Sequence, residues 1–131
     1  MKRFAQIEQC YAFTDAFIDI RITSAKKGKR IKDIKQFEKR KSINEQAYFV
    51  LLFAQLESAI DSKWQKANAT HQQNNYFMTK VRAITKDASV INIIDKYYRI
   101  RCAIAHGEIL DTTLPMPLYI TDFRSVADVV L

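Results

Sequence analysis

The chain is poor in residues that break regular structure. It has two prolines and two glycines in 131 positions. Long uninterrupted helices follow, because these two residues are the usual punctuation of secondary structure, and the expected class is all-α. Its two cysteines, Cys10 and Cys102, are far apart and match no CxxC or zinc-type spacing, which excludes a disulfide scaffold and a structural zinc centre. Both are expected to be buried free thiols. No apolar run is long enough to span a bilayer. The N-terminal Met-Lys-Arg-Phe-Ala-Gln-Ile-Glu lacks the apolar stretch of a secretory signal, so the reading is a cytoplasmic protein. There is no glycine-rich phosphate loop, no Ser-His-Asp order and no metal-ligand cluster. Asp15 and Asp19 are four apart, but no histidine or further carboxylate joins them, and they read as a solvated face. No cofactor is expected. With no internal repeat and no low-complexity linker, residues 1–131 read as a single domain, long enough for one hydrophobic core.

Charge is abundant and unevenly placed. The net charge is +7. Nine Lys/Arg and two acids lie between Lys26 and Lys41, and the rest of the chain has twelve of each sign. The whole excess sits in one segment, which favours a polyanion such as RNA. Lys26, Lys27, Lys29, Arg30, Lys32 and Lys35 are the expected RNA-binding residues. The same composition would also serve a solvated helix face that keeps the protein soluble.

Apolar periodicity divides the chain into helices. The first is expected over 4–22, with Phe4, Ile7, Tyr11, Ile18 and Ile22 inward and Phe13 and Phe17 beside them. Residues 24–30 read as a mobile basic loop centred on Gly28, and 31–41 as a second helix. Ser42-Ile-Asn-Glu45 has the pattern of a capping box and is expected to start the longest helix, 43–66. Its inner stripe is Tyr48, Leu51, Leu52, Gln55, Leu56 and Ala59. A helix apolar over more than one face needs several neighbours or a second subunit. The polar stretch from Ala67 to Asn75 reads as a loop in which His71 is a surface residue. A short helix over 76–86 follows, then one over 88–106 capped by Asp87. Pro115 and Pro117 end regular structure, 118–120 is expected to be extended, and Thr121 or Asp122 caps a last helix to Val130. The fold expected is an antiparallel bundle of four to five helices, with a short C-terminal helix after a Pro-containing loop.

Chemistry concentrates at the end of the 88–106 helix. Val90, Ile94, Tyr97, Arg101 and Ile104 recur at steps of four and three, so Arg101 stands where an apolar residue is the default. A guanidinium there needs an anion or a hydrogen-bond network; Glu57, at the inner edge of the long helix, reads by itself as an ordinary flank acid. His106 follows five residues later and Gly107 terminates the helix. This is the minimum set for cutting RNA without metal. Histidine has an ordinary pKa of about 6.5 and transfers protons near neutrality. Arginine's planar fork holds two phosphorane oxygens and stays charged.

The Arg-x4-His arrangement, with Tyr97-Tyr98 before it and Gly107 after it, resembles the signature of the HEPN superfamily. The resemblance implies a small all-helical domain and a metal-independent endoribonuclease that cuts RNA by 2′-OH attack, in the manner of a toxin or phage-defence effector. It implies a homodimer with two motifs in a shared cleft, and an antitoxin or inhibitor protein as a further partner. On this reading Arg101 and His106 are catalytic, and Glu57, Cys102 and Tyr98 support them. Cys102 departs from the family, which often has Asn, Asp or His there. Glu108 departs too, since some toxin members carry a Tyr two residues after the histidine. Five residues on an ideal helix turn the two side chains about 140° apart. A helix loosened at Gly107 or a two-fold dimer would bring them together. The alternative reading is a non-catalytic HEPN-like dimer that binds RNA or a nucleotide. In a purely structural reading, Arg101 pairs with Glu57 and His106 caps its helix.

Overall fold

A computed structural model describes residues 1–68, 76–108 and 114–131. They form five helices: α1 (Phe4–Lys27), α2 (Ile31–Ala67), α3 (Phe77–Ile84), α4 (Ala88–Ala105) and α5 (Met116–Val130). The fold is an all-α helical bundle, and α2 is its axis. Nothing between Ile31 and Ala67 is proline or glycine, and the helix runs unbroken for 37 residues, about 55 Å. The break expected at Ser42 is absent. The Ser-x-x-Glu pattern is purely local, and the Ser42 hydroxyl instead accepts from Gln46 Nε2 at 3.3 Å. Glu45, the acid of the supposed capping box, is buried.

The turn between α1 and α2 is also tighter than a basic loop over 24–30. α1 continues to Lys27, and its end is closed by bonds from Lys29 N to Lys26 O and from Arg30 N to Ala25 O, at 3.1 and 3.0 Å. These are the paired bonds of a Schellman motif, which requires a left-handed residue after the C-cap. Lys29 holds that conformation (φ 54°), one position after Gly28.

α1 runs back antiparallel along α2. Arg3 N donates to Gln55 Oε1 at 3.3 Å, Tyr11 packs on Tyr48 with ring centroids 5.7 Å apart, and Lys41 Nζ bridges Asp15 and Asp19 at 2.8 Å each. The two aspartates thus hold a lysine, where the sequence suggested only a solvated face. The shared core takes residues of α1 only as far as Tyr11 and of α2 from Phe49 onward, and all of the other helices contribute to it. Its centre is aromatic. Phe49 lies within 6.2 Å of Phe53, Tyr97, Tyr119 and Phe123, and the Tyr97 hydroxyl donates to Asp122. Trp64 is buried near the end of α2. Beyond this core, α1 and α2 continue as a two-helix arm that buries Ile22 and Ala25 and carries the basic segment.

Other expectations are corrected by packing. Leu51, placed on the inner stripe, is half exposed, and Phe13 and Phe17 face outward. Cys10 is exposed and Cys102 only partly buried. Residues 118–120 are helical, because α5 starts at Met116 behind Pro115 and admits Pro117 in its first turn, where a missing N–H costs nothing. Asp87 caps α4 as expected, accepting from Ser89 N and Val90 N at 3.0 and 3.3 Å. His71 lies outside the described residues.

Candidate functional site

Arg101 meets Glu57. Its Nε donates to Glu57 Oε1 at 3.0 Å, joining the last turns of α4 to the second half of α2. The side chains are 35% and 23% exposed, so the pair sits at the rim of the core. The Arg101 charge offsets only part of the effect of burial, which pushes the Glu57 carboxyl up. Burial opposes the charge on Arg101, but Glu57 and the Cys102 side chain outweigh it and raise its pKa. The cation is permanent, and its Nε is committed to Glu57.

Tyr98 and Cys102 complete this cluster. They are one helical turn apart on α4, and the neighbouring Cys102 side chain raises the Tyr98 pKa. Phe77 of α3 packs against Tyr98 with centroids 4.9 Å apart. Beside Glu57 an open groove is lined by Ser58, Asp61, Phe77 and Lys80. Lys80 pairs with Asp61 and lies 5.1 Å over the Trp64 ring. The contributions of Phe77 and Lys80 are not visible in the sequence, because they depend on where α3 docks. The only advance signal is the recurrence of Phe77, Val81 and Ile84 on one side of that helix.

His106 stands apart from the cluster. It is the C-cap of α4, with near-helical dihedrals (φ −84°, ψ 6°) and its N–H bonded to Cys102 O at 3.0 Å. α4 does not loosen before it. The chain turns one residue later, at Gly107 (φ +80°), closed by Gly107 N to Ile104 O and Glu108 N to Ala103 O, both 3.0 Å. His106 is therefore exposed and is not turned inward toward Arg101. Going around α4 from Arg101, one meets Tyr98, then Cys102, then His106, in steps of about 40–60°. The arginine and the histidine bound one flank of the helix end, with Tyr98 and Cys102 between them.

The basic residues are elsewhere. Lys26, Lys27, Lys29, Arg30, Lys32 and Lys35 are all exposed around the α1–α2 turn. Ile31 and Glu57 are 26 positions apart on one unbroken helix, or about 40 Å. Within one chain the structure brings Glu57, Tyr98, Arg101 and Cys102 together and leaves the basic arm remote from them. No group of histidine, cysteine and acidic side chains suited to a metal ion occurs among the described residues. None of their helices is long and apolar enough to cross a membrane. No protein-family model matches the chain, and no curated protein or solved structure is detectably similar to it.

Proposed function

We propose that the chain is a metal-independent endoribonuclease of HEPN type, acting as a toxin or defence effector, with the end of α4 as its site. The observation that carries this reading is the anchored guanidinium. Glu57 fixes Arg101 through Nε, and His106 caps the end of the same helix. Anchoring costs less freedom on binding than a loose surface arginine would. His106, at an exposed helix end, is open to a strand laid across that flank.

The step is a transesterification. His106 takes the proton from the ribose 2′-hydroxyl, and that oxygen attacks the adjacent phosphorus. The P–O5′ bond breaks as the new P–O2′ bond forms. Arg101 holds the non-bridging oxygens, whose charge grows in the phosphorane. Water protonates the departing 5′-oxygen, and the imidazolium then returns its proton to solvent. The products are a 2′,3′-cyclic phosphate and a 5′-hydroxyl, and no metal or cofactor enters. The basic arm, about 40 Å from the site along α2, binds the RNA backbone at a distance from the cut, and the protein works as a homodimer held by an antitoxin or inhibitor when silent.

The test is incubation of the purified protein with total RNA, with and without EDTA, followed by analysis of the product ends. Cyclic phosphate ends at equal rates in both support the reading. Intact RNA under all conditions favours the non-catalytic alternative, in which the same cluster binds RNA or a nucleotide.

A further inference from the structure

The groove beside Glu57 carries chemistry that Arg101 and His106 do not use. It holds about 500 Å³ and is lined by Glu57, Ser58, Asp61, Phe77 and Lys80, a volume within the range of small-ligand sites. Its charges cancel. Glu57 Oε1 accepts from Arg101 Nε at 3.0 Å, and Asp61 Oδ1 accepts from Lys80. Two carboxylates disfavour a phosphate in the groove, and two cations disfavour a metal ion. The guest that fits is neutral, with polar edges.

The acceptors are unequally occupied. Asp61 Oδ2 already takes a bond from Gln65 Nε2 at 3.1 Å. Glu57 Oε2 has no donor among the described residues, and Glu57 Oε1 keeps a second lone pair after binding Arg101. The Ser58 hydroxyl has no hydrogen-bond partner among those residues either. Phe77 supplies an aromatic wall, held in place by Phe53 and Tyr98 with ring centroids 5.8 and 4.9 Å away. An aromatic ring, a part-used carboxylate and a free hydroxyl are the means by which unpaired RNA bases are read. Stacking holds the base, and hydrogen bonds sort its Watson–Crick edge.

The carboxylate narrows the choice, because it accepts and cannot donate. Guanine alone offers two adjacent donors, N1–H and N2–H, with O6 beside them as an acceptor. Adenine and cytosine set one amino group next to a ring acceptor, and uracil sets one N–H between two carbonyls. We propose that this groove is a base-reading subsite selective for guanine. Glu57 accepts from N1–H and N2–H, Phe77 stacks on the ring, and Ser58 and Lys80 donate toward O6. Glu57 then serves two ends, anchoring the guanidinium and reading the base. The nucleotide read adjoins the cut, because its base shares Glu57 with the arginine that holds the phosphorane. That place beside a cut rests on the ribonuclease reading, and the binding does not.

The test reads binding first. Trp64 is the single tryptophan of the chain and lies 5.1 Å from the Lys80 ammonium, so its emission reports on the groove and not on the remote basic arm. The protein is titrated with the 5′-monophosphates of guanosine, inosine, adenosine, cytidine and uridine. Guanosine monophosphate should bind at least about tenfold more tightly than those of adenosine, cytidine and uridine. Inosine monophosphate, which lacks the 2-amino group, should fall between. Glu57→Gln should abolish the preference. Phe77→Leu, which keeps the apolar packing, should weaken all the nucleotides alike, by about fivefold or more. The inosine comparison needs no variant and decides the matter if either variant fails to fold. Equal affinity for all the nucleotides, no saturable Trp64 response to guanosine monophosphate, or a preference that survives Glu57→Gln overturns the subsite, whatever the protein does to RNA. Guanine-selective binding with RNA left uncut keeps the subsite and refutes the ribonuclease reading alone. Guanine-selective binding with cuts beside every base overturns the subsite's place at the cut.

Discussion

Arg101 would be an expensive residue on an inward-facing line if it had no partner, and Glu57 is what makes it tolerable. The pair is partly exposed, so its worth lies between a surface ion pair, below about 1 kcal/mol, and a buried one, whose disruption costs about 3–5 kcal/mol. Arg101→Ala should therefore destabilise the fold by about 1–2 kcal/mol, and a second change, Glu57→Gln, should recover part of that loss in thermal melts. Glu45 is a contrasting case. Burial pushes its carboxyl up, against the backbone N–H of Leu114 and the Lys41 charge. A carboxyl raised in the folded state is ionised at a cost that is absent below its ordinary pKa near 4.5 and develops as pH rises through the folded value. Glu45→Gln should accordingly match or exceed wild-type stability at pH 8 and lose that advantage toward pH 4. A variant that is less stable at pH 8 than at pH 4, relative to wild type, would contradict this. The two acids were not equally legible. Glu57 was reached only through the resemblance, which implies an acid on the long helix beside the motif arginine; its own position marked it as a flank acid. Glu45 was read as a cap because the Ser-x-x-Glu pattern says nothing about burial.

At the scale of the elements, what stops a helix decides where side chains end up. Lys29 occupies a left-handed position (φ 54°) directly after Gly28, so the glycine sits one residue too early to relieve it. Lys29→Gly should stabilise the protein by about 0.5–1 kcal/mol, measured as a shift in the denaturant midpoint at constant slope. Gly107→Ala should do the reverse by about 1 kcal/mol, because Gly107 holds φ +80° and an L side chain there is strained. The order of the helices was readable from periodicity, and Asp87 was readable as a cap because an acid precedes an apolar run. The fusion of 31–41 with 43–66 was not, although the lack of proline and glycine pointed to it. A local capping pattern outweighed the absence of any breaker. The outward turn of Phe13 and Phe17 was illegible for a different reason. α1 is apolar on two sides, and only its packing against α2 shows which side the core uses.

At the scale of the whole molecule, the basic turn and the Glu57–Arg101 pair lie about 40 Å apart along one 37-residue helix. If the arm tracks an RNA backbone, affinity should fall steeply with salt, with a slope near −0.7 per neutralised phosphate. Changing Lys26, Lys27, Lys29 and Arg30 to Gln should flatten that slope while leaving the melting temperature nearly unchanged, and an unaltered slope would assign the segment to solubility. The motif was legible because five residues carry it within one helix end. The arm's distance from it was not, because that depends on the unbroken length of α2. The central claim is that Arg101 and His106 cut RNA together, and the most direct measurement is single-turnover cleavage by wild type, His106→Ala and Arg101→Lys, in EDTA, on one RNA and its 2′-deoxy counterpart at the cut site. The account expects wild type to leave a 2′,3′-cyclic phosphate, the deoxy substrate to stay whole, and both variants to lose at least about 100-fold in rate with unchanged helical content. Cleavage by His106→Ala at the wild-type rate, or cutting of the 2′-deoxy substrate, would contradict it.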